Sequence, residues 1–145
     1  MTLTDLTAFA GLVFGVIGAA LGIASFLRDR ASIDVSLQWD MVDSHTNKKV
    51  GVVRIQNIGR RPVYVSHVAI HLGGTQYRLL SDSIRGERLG EGDPPLIKMI
   101  PQEGLEEFAR NWWLLRAQVS DSTGRVWTSP MAKETPSWAR GTDLI

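Results

Sequence analysis

The chain carries His45, His67 and His71 as its only imidazoles. His67 and His71 lie four apart in a β-rich run. On a strand that spacing puts them on one face but roughly 13 Å from each other, too far to share an ion. A bulge between them would remove even the shared face. No metal centre is expected, and histidines at a sheet rim are the simpler reading. The carboxylates fall into two groups, Glu103, Glu106 and Glu107, and Asp82, Glu87, Glu91 and Asp93. Paired carboxylates hydrolyse bonds only at a defined separation across a cleft, and no motif sets one here. Ser122 and Ser129 lack a nucleophile-elbow context. Gly90-Glu-Gly92 is followed by no GK[ST] and is not a phosphate loop. The chain has no cysteine, which excludes disulfides, thiol nucleophiles and zinc–cysteine sites. The expectation is a protein that is not an enzyme and holds no cofactor.

The charged feature with most chemical content is Arg60-Arg61. At a loop tip near a bilayer, this pair would meet anionic phosphates, of lipid or of a small ligand. Arg28, Arg30, Lys48 and Lys49 are candidates to extend the patch, and a solvated turn is the alternative. The formal net charge is +1, so no global field points to nucleic acid, and none is expected as a partner.

What would bring those arginines to a bilayer is the run at residues 6–27, LTAFAGLVFGVIGAALGIASFL, which contains no charge. As a helix it spans roughly 33 Å, slightly more than a hydrocarbon core, and no face of it is polar. We read it as a single transmembrane helix. A cleaved signal peptide needs a basic n-region, and residues 1–5 hold no Lys or Arg. Arg28 and Arg30 follow the helix, which predicts an N-terminus outside and a cytoplasmic domain at the inner membrane. Ala8, Gly11, Gly15, Gly18, Gly22 and Ser25 recur at alternating spacings of three and four, and so share one stripe. Small residues let helix backbones approach in lipid, so this stripe predicts self-association into a homo-oligomer. The alternative is that glycine is common in membrane helices generally.

After this anchor (residues 1–30) comes a β-domain (residues 31–130) and a tail expected to be loose (residues 131–145), apart from whatever Trp138 contacts. Ile33, Val35, Leu37 and Trp39 alternate with polar residues, as in a half-buried strand. Residues 50–56 are apolar enough for a central strand. Residues 57–62 are a turn in which Gly59 can take positive φ. Residues 63–72 slip phase near Ser66-His67, which predicts a bulge. Gly73-Gly74 marks a hairpin, and residues 75–80 return. Residues 81–95 read as a long loop, 96–100 as a strand, and 102–111 as ambiguous between a helical turn and a strand. Residues 113–120 form a strand with Trp113, Leu115, Ala117 and Val119 on one face. Asp121-Ser-Thr-Gly124 turns the chain back into 125–129. Of the five tryptophans, Trp39, Trp113 and Trp127 suit the core, whereas Trp112 and Trp138 suit a surface. The fold class is mainly β: one antiparallel immunoglobulin-like β-sandwich behind the helix, with a small partly closed barrel as the alternative.

Val52-Val-Arg-Ile-Gln-Asn57-x-Gly59-Arg-Arg-Pro62-Val63 and Val119-Ser-Asp121-Ser-Thr-Gly124-Arg125 resemble motifs of a loose group of small bacterial and phage membrane-anchored proteins. Those proteins carry an N-terminal membrane helix and an immunoglobulin-like domain. The resemblance covers roughly residues 33–130 and implies a fold, with no catalytic residues. The function expected is a non-enzymatic, single-pass binding or scaffolding module with an unknown protein partner or small ligand. The alternative is a membrane effector or sensor whose β-domain recognises a ligand and whose helices perturb the bilayer. An anchored hydrolase is the remaining option.

Overall fold

In a computed structural model of the chain, residues 2–73, 76–80 and 86–141 are described. The N-terminal helix, Leu3–Arg28, opens on a capping box. The Thr2 backbone N–H donates to Asp5 Oδ2 at 2.9 Å, and the Asp5 N–H donates to Thr2 Oγ1 at 3.3 Å. It closes where the Asp29 N–H reaches the Ser25 carbonyl at 2.9 Å. No residue of this helix is buried. It is long and apolar enough to cross a membrane.

The strands are β1 (Ile33–Val42), β2 (Lys49–Asn57), β3 (Val63–Gly73), β4 (Gln76–Leu79), β5 (Glu87–Leu89), β6 (Leu96–Pro101), β7 (Arg116–Asp121) and β8 (Val126–Thr128). They form two antiparallel sheets. One is ordered β1-β2-β6; the other is β4-β3-β7-β8, with β5 also paired to β3. Between them, Ile33, Val35, Val53, Ile55 and Ile100 of the first sheet meet Val65, Val68, Ile70, Ala117 and Val119 of the second. Burying each such side chain contributes about 1.5–3 kcal/mol relative to leaving it in water. A helix followed by a β-sandwich is therefore the architecture.

Two of the strand irregularities have a job. Ser66 is the extra residue between Val65, paired with Asp121, and His67, paired with Ser120. Its hydroxyl donates to the carbonyls of Ser120 and Asp121, at 3.1 and 3.0 Å. The bulge falls where the phase slip predicts it, before His67, so His67 and His71 stay in one regular stretch of ladder. In β1 the register shifts between Gln38 and Met41, and Asp40 adopts φ 59°. Trp39 thereby lies over Gly51, where an added Cβ would come within 2.5 Å of its ring.

Several expectations are corrected, and one open alternative is decided. Residues 81–95 are not all loop: Glu87–Leu89 pairs with the start of β3, while 81–85 lie outside the described residues. The ambiguous stretch is a 3-10 helix, Glu106–Leu114, which continues through both neighbouring tryptophans. Trp113 is in phase with Leu115, Ala117 and Val119, but β7 starts only at Arg116. Trp113 is 45% exposed and packs edge-on against Trp112 instead. The stretch after Pro130 is docked: Pro136 and Ala139 are buried, and Trp138 packs edge-on against Trp39 with ring centroids 5.5 Å apart. Residues 142–145 lie outside the described residues. Gly59 is not among the glycines with positive φ; it is needed for a close approach described below. Of the Gly73-Gly74 hairpin, Gly73 takes φ 99°, and Gly74 lies outside the described residues.

Candidate functional site

The turn between β2 and β3 runs along the linker that follows the helix. The N–H groups of Ile58 and Gly59 donate to the Ser32 carbonyl at 3.0 and 3.3 Å. A Cβ on Gly59 would sit 2.1 Å from the Arg30 carbonyl oxygen, so only glycine allows the two backbones this close. One residue further, Arg60 Nη1 lies 3.6 Å from Asp29 Oδ1. The contacts thus climb from Ser32 to Arg30 to Asp29, toward the end of the helix.

Asn57 holds this turn from inside. It is 6% exposed. Its Nδ2 donates to the carbonyls of Arg61 and Leu89, both at 2.8 Å, and its Oδ1 accepts from Gly59 N–H at 2.8 Å. One buried amide therefore ties the turn to β5, and the turn holds the helix linker through the Ile58 and Gly59 N–H groups.

The fold brings the two arginine pairs of the sequence, Arg28 with Arg30 and Arg60 with Arg61, to one end of the sandwich. All four side chains are exposed. Arg28 lies in the last turn of the helix, where the carbonyl ends favour a cation. The Arg30 guanidinium carbon stands 5.3 Å over the Phe26 ring. Lys48 and Lys49 do not join this collar. Lys49 pairs with Val42 and Asn57 with Ile33, so the lysines are at the far end of strands roughly 30 Å long. Trp113 is also at the far end, beside Arg116, whose partner is His71.

Along the helix, Ala8, Gly11, Gly15, Gly18, Gly22 and Ser25 are all exposed. A Cβ on any of the four glycines would find nothing within 4 Å. Nothing among the described residues covers the stripe.

A second feature, invisible in local sequence, is a cleft of about 380 Å³ at the end far from the helix. It is lined by Lys48, Lys49, Gln102, Glu103, Glu106, Ser137 and Trp138. Lys48 Nζ and Glu103 Oε1 pair at 2.8 Å on its rim. The Asp40 carboxylate accepts the Ser137 N–H at 2.8 Å and, through a short contact, the Ser137 hydroxyl. The indole N–H groups of Trp39 and Trp138 and Gln102 Nε2 are buried without a hydrogen-bond partner.

Burial works to raise the Asp40 pKa, but the Ser137 hydroxyl and N–H, with Lys49 nearby, hold it below the ordinary carboxylate value. In the same way burial opposes, and Thr123 with the Arg125 N–H overcomes, so that Asp121 is also lowered. A depressed folded-state pKa contributes stability above the unfolded value and loses it as pH falls through the folded one. As pH falls below the ordinary carboxylate value of about 3.9 and on through the lower folded one, the segment around Ser137 should therefore loosen from β1. Circular dichroism of the Trp39–Trp138 pair in an acid titration reads this. Asp40→Asn should lack the acid step, and superimposable titrations of the two proteins would refute it.

The remaining singled-out groups lie apart. His45 sits in the exposed β1–β2 turn, with its N–H on Asp43 Oδ1 at 3.0 Å. Ser129 is 2% exposed, and its hydroxyl accepts the Ala117 N–H at 2.9 Å. Glu103 and Glu106 face the cleft, while Glu87 is on β5 at the other end; Asp82 lies outside the described residues. No group of three or more metal-ligating side chains occurs among the described residues. The chain matches no protein-family model and no curated protein.

Proposed function

We propose that this protein is a single-pass anchor at the inner membrane that presents a non-enzymatic binding or scaffolding β-domain to the cytoplasm and self-associates through its helix. The observation that carries this is the division of the chain between two solvents. The domain buries a closed core of its own, whereas the helix buries nothing and exposes Phe9, Leu12, Phe14, Val16 and Ile23 all round. The open cleft at the far end faces away from the bilayer in this arrangement, where a protein partner or small ligand has access. An immunoglobulin-like domain, and kinship with the small bacterial and phage anchored proteins, belong to the same proposal; two antiparallel sheets around one core support it.

One observation favours a second reading, a membrane effector or sensor. Asn57, Gly59 and Arg60 brace the helix linker against the domain, so a ligand that shifts the sandwich would also shift the helix.

Topology fusions test the placement. A C-terminal fluorescent-protein fusion should shine and the matching alkaline phosphatase fusion should be inactive. An active phosphatase with a dark fluorescent partner would overturn the cytoplasmic assignment.

A further inference from the structure

The turn at residues 57–62 does more than brace the linker. We infer that it is a membrane-contacting surface, in which Ile58 enters the interfacial layer while Arg60 and Arg61, with Arg28 and Arg30, hold the phosphates of anionic phospholipid headgroups. This rests on the reading of the helix as a membrane span.

Depth is the first argument. Leu27 is the last residue of the uncharged run, and Asp29 follows two residues later at the helix C-cap. At helical rise, Asp29 stands about 3 Å beyond Leu27. Arg60 reaches within 3.6 Å of Asp29, and the Gly59 backbone touches that of Arg30. The headgroup layer on each side of the hydrocarbon is roughly 5–8 Å thick. The turn tip therefore falls within that layer when the apolar run fills the core.

Chemistry is the second. Ile58 is 65% exposed in the turn, and Arg60 and Arg61 follow it two and three residues on. An apolar residue beside two cations suits a surface that is greasy below and anionic above. Guanidinium groups pair with phosphate oxygens in a planar fork.

Charge is the third. Of the acids at this end, Asp29 pairs with Arg60, Asp93 stands 3.8 Å from Arg88, and Asp34 on β1 and Glu87 on β5 stand exposed. The Asp121 carboxylate is folded into its own turn, on Thr123 and the Arg125 N–H at 2.8–2.9 Å. Glu91 stands exposed on the loop beyond β5. Of the four arginines Arg28, Arg30, Arg60 and Arg61, Arg60 is the one paired with Asp29, which leaves the collar cationic. Asn57 keeps the turn in this pose before any lipid arrives, so little ordering is lost on contact.

The natural chain has no cysteine, so one introduced thiol can carry a nitroxide label at a chosen site. Full-length protein bearing Ile58→Cys, Ile17→Cys or Thr46→Cys is placed in nanodiscs of phosphatidylcholine, with or without phosphatidylglycerol. Power saturation against oxygen and a water-soluble nickel chelate then gives each label's depth. Position 17 should be deep, position 46 aqueous, and position 58 at the headgroup layer, moving inward when phosphatidylglycerol is present. Arg60→Gln with Arg61→Gln should abolish that inward shift, at roughly fivefold per arginine in the ratio of docked to undocked turn. Arg60→Lys with Arg61→Lys should keep it. If position 17 is deep but position 58 is as aqueous as position 46, the lipid contact is wrong and the anchor stands. If position 17 is itself aqueous, the span is wrong and the inference falls with it. An inward shift that survives the double glutamine change would overturn the assignment to these arginines.

Discussion

Asn57→Ala should lower the thermal midpoint of the full chain by roughly 10–20 °C, a loss of about 2–4 kcal/mol. The change leaves the carbonyls of Arg61 and Leu89 and the N–H of Gly59 without the partner each has at 2.8 Å. Asn57 is buried, so water reaches these groups only after the turn opens. Asn57→Asp should do no better, because a carboxylate satisfies Gly59 but donates nothing to the two carbonyls and buries a charge. Gly59→Ala attacks the same junction from outside. Its Cβ would meet Arg30 O at 2.1 Å and Ser32 N at 2.8 Å, both backbone atoms that no rotamer change can move. The turn should separate from the linker and release the Ile58 and Gly59 N–H bonds to Ser32. Melting followed by circular dichroism in detergent micelles measures both. A cost within about 0.5 kcal/mol, as for an ordinary surface substitution, would show that the junction carries no weight.

That junction marks the border between what the sequence discloses and what it hides. The helix is legible because a bilayer-crossing segment excludes charge at every position, a local property. β1, β2 and β7 are legible because one buried face imposes alternation, and even the bulge at Ser66 shows as a phase slip. Gly59 was visible as a turn glycine, but its reason lies in Arg30 and Ser32, which approach from another part of the chain. Trp113 kept the right phase and failed because a 3-10 turn occupies its place, and phase alone does not tell a strand end from the residue before it. β5 is three residues long, too short for any period to register. The docking of the C-terminal segment depends on Asp40 meeting Ser137 and Trp39 meeting Trp138, pairings of distant residues that leave no local signature. The same holds for the cleft they border. The arginine collar was half legible: each pair is a visible cluster, and only the fold puts them at one end.

Gly15→Leu combined with Gly18→Leu should reduce helix association on the order of tenfold, equal to about 1.4 kcal/mol. Ala8, Gly11, Gly15, Gly18, Gly22 and Ser25 follow an alternating three-and-four spacing, two positions in every seven residues, which keeps them on one line when two helices supercoil left-handedly. Lipid chains are as apolar as leucine, so nothing but close packing draws such helices together. Glycine permits it by leaving the backbone uncovered, and the positions are open in this chain, with no atom within 4 Å of an added Cβ. Two leucines there would hold the backbones apart while making the span more hydrophobic, so insertion is preserved. Val13→Leu with Ile17→Leu is the matched control. Those residues lie off the stripe, already carry bulk, and are 39% and 49% exposed in the lone helix. A transmembrane two-hybrid assay in a bacterial inner membrane compares the two double variants at equal expression. A reduced signal from the glycine pair alone locates the contact on the small-residue face. Equal signals would mean that the glycines are ordinary membrane-helix composition and that any assembly is held by the β-domain.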